Sequence, residues 1–90
     1  MLNKYRLQQG QLWEISLPHF AKVGSVDYHQ AFVRIDEVDS MRVKNMIIIR
    51  FHELSKTNIY YGWMKEDFER SIIRKVNPAE QVLLEMKYGS

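Results

Sequence analysis

The sequence predicts a mainly β domain, a five-stranded and strongly bent antiparallel barrel with a short C-terminal α-helix. Three observations carry this reading. Five short runs alternate apolar with polar residues and are separated by turn-forming residues. A single polar turn, Lys65 to Arg70, interrupts the series before its last run. Asn77-Pro78-Ala79-Glu80 then combines an Asn cap, proline at the first helical position and glutamate three residues after the cap, which is how a helix opens.

The first strand is expected from Gln11 to Leu17, opened by Gly10 and closed by Pro18, with Trp13, Ile15 and Leu17 on one face. From Pro18 to His29 the alternation fails around Gly24-Ser25. A long loop is expected there, folded back on the body because it carries Phe20, Val23, Val26 and Tyr28. Gln30 to Val38 alternates again, Ala31, Val33 and Ile35 opposing Phe32, Arg34 and Asp36. Asp39-Ser40 offers turn chemistry, since both side chains bond nearby amides, and makes a hairpin with the third strand, Val43 to Leu54.

In that third strand Val43, Asn45, Ile47, Ile49 and Phe51 share one face and Met46, Ile48, Arg50 and His52 the other, so its middle is expected to be covered on both sides. Lys56-Thr57-Asn58 turns into a fourth strand, Ile59 to Met64, in which Ile59, Tyr61 and Trp63 point inward and Gly62 marks a bend or a close approach. The charge order of Lys65 to Arg70 suits one helical turn, and Ser71 to Val76 is the fifth strand. Ala79, Val82, Leu83 and Met86 line the apolar face of the final helix, which Gly89 ends.

At 90 residues everything must share one core, so one domain is expected over residues 1–90, with the barrel over about 9–76 and the helix over about 78–88. A content of 46% apolar and 27% charged residues belongs to a globular chain, not a disordered one. With no cysteine there is no disulfide, thiolate metal site or cysteine nucleophile. The N-terminal residues lack the apolar stretch of a signal peptide, and the longest apolar run, Met46 to Ile49, is far too short to span a bilayer; the expected location is cytoplasmic, with no membrane partner.

The strand order and loop lengths over Gln9 to Val76 resemble the SH3-like small β-barrel superfold. That resemblance implies a peptide reader, a nucleic-acid binder or an accessory protein of a phage or mobile element. Gly10-Gln11-Leu12-Trp13-Glu14-Ile15-Ser16-Leu17, then Gly24, then Ala31 to Ile35 also resemble the opening of the MazF/PemK ribonuclease toxins. In that family an Arg-Pro pair begins the strand that Ala31 to Ile35 would match. Here His29-Gln30-Ala31-Phe32 stands instead, so the catalytic arginine is not carried over.

No chemistry-bearing motif stands out. His19, His29 and His52 have no metal-ligand spacing, and the four glycines are isolated, so no metal, cofactor or phosphate loop is expected. No nucleophile sits in a recognisable elbow, and no catalytic residue is assigned. Asp36, Glu37 and Asp39 are explained by turn chemistry and solubility. The net charge is only +2, but between residues 34 and 56 basic residues outnumber acidic ones.

Alternation places Phe32, Arg34, Arg50, His52 and Tyr60 on the outward side of strands two to four. A basic face with interleaved aromatics is how barrels hold single-stranded nucleic acid. The competing expectation is that the C-terminal helix covers Phe32, Ile48 and Tyr60, because Val82, Leu83 and Met86 need an apolar partner. The preferred reading is a non-enzymatic binding module acting on a protein partner or as a homodimer. The alternatives are nucleic-acid binding through Arg34, Arg42, Lys44, Arg50, Lys56, Phe32 and Tyr60, and a divergent MazF-like ribonuclease.

Overall fold

Strands and helices follow one another in the order that the alternation predicts: β1 (Leu12–Lys22), β2 (Ser25–Met41), β3 (Met46–Glu53), β4 (Tyr60–Met64), α1 (Lys65–Ser71), β5 (Ile72–Lys75) and α2 (Pro78–Tyr88). The computed structural model describes residues 5–22, 25–41, 46–56 and 58–88. The expectations for Gly24, Val43, Asn45, Thr57 and Gly89 lie outside the described residues, as do those for the side chains of Phe20, Val23 and Val26.

All pairings are antiparallel, in the order β4-β3-β2-β1-β5. β4 and β5 are the two edges: the five antiparallel strands expected are present, and the hydrogen-bonded sheet is not closed into a barrel. The gap between the edges is spanned by α1, which packs against β1, β3 and β4. Its Phe68 is fully buried and meets the Phe51 ring edge-on at 5.1 Å. A lone aromatic in a polar turn thus adds to the core from outside the sheet.

β2 has 17 residues and would run about 55 Å if straight, against a longest molecular dimension of 39 Å. It bends at a bulge. Ile35 faces Phe51 and Glu37 faces Arg50, leaving Asp36 as the extra residue. Before the bulge odd residues point inward; after it the phase flips, and Val38 joins the core.

The core is the inner face of this curved sheet. Trp13, Ile15 and Leu17 of β1, Ala31, Val33 and Ile35 of β2, and Ile49 and Phe51 of β3 are buried there together with Leu7 and Phe68, as the alternation requires. Tyr61 and Trp63 pack against them half-buried, whereas Ile59, expected inward, precedes β4 and is exposed. A smaller cluster on the outer side joins Leu12, Leu54 and Val76 to Phe32, Leu84 and Tyr88, and α2 is seated on it.

The loop expected from Pro18 to His29 is instead the far end of the β1–β2 hairpin, with Leu17 opposite His29, Pro18 opposite Tyr28 and Lys22 opposite Ser25. Beyond Leu17 these strands pair only with each other, and Asp27, Tyr28 and His29 are exposed. Proline is admitted because β5 pairs only with Trp13 to Ile15, leaving β1 an edge strand at Pro18. Likewise Asp39 and Ser40 do not turn but continue β2, opposite Ile48 and Ile47. Neither helix is long and apolar enough to cross a membrane.

Candidate functional site

Register brings much of the expected basic and aromatic face together. Arg34 on β2 stands opposite His52 on β3, and His52 opposite Tyr60 on β4, making one row across three strands, with Arg50 opposite Gly62 one row away. Tyr60 is 67% exposed, its ring centre 5.6 Å from that of His52. Phe32 is partly buried in the cluster under α2, with the Arg74 guanidinium 5.8 Å from its ring. Arg42 and Lys44 lie outside the described residues.

Each described cation of this set faces a carboxylate. Arg34 Nη2 is 3.2 Å from Glu85 Oε1 of α2. Arg50 reaches Glu37 at 3.4 Å and Asp39 at 3.5 Å, and Lys56 lies 3.9 Å from Glu53. His52 Nδ1 is 2.9 Å from both oxygens of the bulge residue Asp36. Phosphate binding draws its strength from cations that release counterions, and carboxylates at these distances already neutralise them. Around these groups carboxylates outnumber the cations, Glu85, Glu37, Asp39, Glu53 and Asp36 standing against Arg34, Arg50, Lys56 and His52.

One carboxylate is unusual. Glu53 continues the inward phase of Ile49 and Phe51 and is only 5% exposed. Its Oε1 is 2.9 Å from His29 Nε2, and its Oε2 accepts a hydrogen bond from Ser55 Oγ at 3.2 Å. With Lys56 it is fully engaged, as a buried charge must be. This group ties the start of β2 to the end of β3. The alternation of β3 would have revealed the inward Glu53, but nothing in the sequence identifies His29 as its partner.

The other feature is α2. Asn77 Oδ1 accepts a hydrogen bond from the Glu80 amide at 2.8 Å, forming the expected cap. Arg74 on β5 donates to both oxygens of Glu80 at 2.6 and 2.7 Å and reaches Glu14 of β1 at 2.8 Å. The hydrogen bond from Arg74 holds the Glu80 carboxyl below its usual range against an opposing desolvation, and the same bond raises Arg74 further. Glu85 meets Arg34 on the helix's other flank.

These pairs fix the helix about its own axis with Leu84 and Tyr88 against the sheet. The opposite face therefore looks outward: Val82 is 56%, Leu83 66% and Met86 77% exposed, and Ala79 is exposed with them. This corrects the expectation that this stripe would cover Phe32, Ile48 and Tyr60. The helix has two apolar sides, and apolarity alone does not choose between them; the ion pairs at Glu80 and Glu85 do. Of the residues expected beneath it, Phe32 is covered and Tyr60 is not.

Among the described residues no three His, Asp or Glu side chains are grouped so as to hold a metal ion. Comparison of the chain with protein-family models, with curated proteins and with solved structures finds no match.

Proposed function

We propose that this chain is a non-enzymatic protein-interaction module that docks through the outward face of α2. The observation that carries this is the row of Val82, Leu83 and Met86, each more than half exposed on one side of an 11-residue helix. Large apolar side chains scattered singly on a surface are ordinary, but a continuous stripe of them marks an interaction site. The stripe is rigidly presented, because a cap and ion pairs on both flanks hold the helix. The pairing of Arg34, Arg50 and Lys56 with carboxylates favours this reading over the nucleic-acid one.

Two measurements test it. Binding to labelled single-stranded RNA and DNA across a salt series should be absent or non-saturable, and unchanged by Arg34→Ala/Arg50→Ala; tight, salt-sensitive binding lost in that variant would replace this reading with the nucleic-acid one. A photo-crosslinker placed at position 83 should join the chain to a defined protein, a second copy included. Excess unlabelled domain should compete that product away, and the Leu83→Lys domain should not. Equal competition by both would refute the α2 face.

A further inference from the structure

We infer that the occupant of this face is a second copy of the chain, its α2 laid antiparallel to the first about a two-fold axis passing between Val82 and Leu83; this rests on reading the outward face of α2 as the interaction surface. The spacing is the first argument. Reversed about the midpoint of Val82 and Leu83, the stripe maps onto itself, Val82 onto Leu83 and Ala79 onto Met86. A two-fold interface must be self-complementary in this way. It also sets the smallest residue of the stripe opposite the longest, so that the pliable Met86 of one copy fills the space left at Ala79 of the other.

Charge is the second argument. At 3.6 residues per turn the stripe covers an arc of about 100°, and Glu80 and Lys87 lie on the same flank of it, about 20° apart. In an antiparallel pair like flanks meet. Lys87 of one copy then falls about 3 Å along the axis from Glu80 of the second copy. Lys87 is exposed and lies over the Tyr88 ring of its own chain, 5.3 Å from its centre, with its ammonium at the helix end. It would extend the Arg74–Glu80 pair into a three-membered cluster across the interface. Antiparallel helices also oppose their dipoles favourably.

Area sets the strength. The exposed parts of the four stripe residues amount to on the order of 400 Å² per copy, about 800 Å² for the pair, below the ~1,200 Å² at which stable interfaces begin. The dimer is therefore weak and reversible.

Sedimentation equilibrium of the full chain from about 10 µM to about 1 mM covers the range in which a weak dimer forms. The expected result is a monomer–dimer equilibrium weakened at least tenfold by Leu83→Lys and by Val82→Asp, both of which should keep the wild-type circular dichroism. Lys87→Glu should weaken it about threefold, and Lys87→Arg should preserve it. A monomer throughout the range overturns the self-association while leaving the α2 face to be judged by the crosslinking experiment. A dimer indifferent to Leu83→Lys and Val82→Asp overturns both readings. A dimer sensitive to those changes but indifferent to Lys87→Glu overturns the antiparallel arrangement.

Discussion

Leu83 and Leu84 are the same residue on adjacent positions of one helix, about 100° apart around it, one exposed and one packed on the sheet, and truncating each to alanine isolates the orientation of α2. Leu84 packs half-buried on the cluster of Leu12, Leu54 and Val76. A fully buried Leu→Ala change costs about 2–5 kcal/mol, so partial burial and a site that can collapse place Leu84→Ala near the lower end, about 1.5–2 kcal/mol. Leu83 is 66% exposed and its truncation should stay within about 0.5 kcal/mol. With a urea slope of about 1–1.5 kcal/mol/M for a chain this small, the midpoint should fall by more than about 1 M for Leu84→Ala and by less than about 0.5 M for Leu83→Ala. The assay is urea unfolding followed by tryptophan fluorescence, at low micromolar concentration so that association does not contribute. Equal losses, or a larger loss at Leu83, would mean that the stripe faces the sheet.

Phe68→Ala should destabilise the domain by about 3–5 kcal/mol, a large part of its whole stability, while Phe68→Leu should cost far less; a small effect of the alanine in thermal or urea unfolding would show that α1 does not close the core. Asn77→Ala removes the acceptor for the Glu80 amide and should cost about 1 kcal/mol, with faster hydrogen exchange confined to the first turn of α2; uniform exchange would refute the cap. Because Arg74 lowers the Glu80 pKa in the folded state, the stabilisation from that pair is present above the ordinary carboxylate range and is lost as pH falls through the lowered value. The Tm difference between wild type and Glu80→Gln should therefore be present at neutral pH and close on acidification, and a difference independent of pH would refute the linkage.

Much of the fold was legible because one buried face imposes alternation. Trp13, Ile15, Val33, Ile35, Ile49 and Phe51 are all fully or nearly fully buried in the phase expected of them. Where consecutive residues are exposed, as from Asp27 to His29, alternation has nothing to report, and that part of β2 reads as loop. The bulge at Asp36 was hidden for a related reason: a phase flip leaves one polar residue more between Ile35 and Val38, which a strand end would do equally well. Phe68 as the core plug and His29 as partner of Glu53 depend on contacts across long sequence separations. The stripe on α2 was visible as a pattern, but its direction is set by Arg74 on the strand just before it and by Arg34 reaching from β2.

The open order of the sheet bears on how the chain behaves when crowded or partly unfolded. Unpaired edges are where strands of other molecules add, and proteins guard them with short strands, charge and nearby proline. The β5 edge has all three, being four residues long, carrying Arg74 and Lys75, and followed by Pro78. The β4 edge, Tyr60-Tyr61-Gly62-Trp63-Met64, carries no charge and no proline, and its gatekeepers are only the flanking Lys65 and Glu66. Of the two outer strands β4 is therefore the less guarded, and a single lysine at the exposed Tyr60 is the economical place to suppress pairing there without touching either the core or α2.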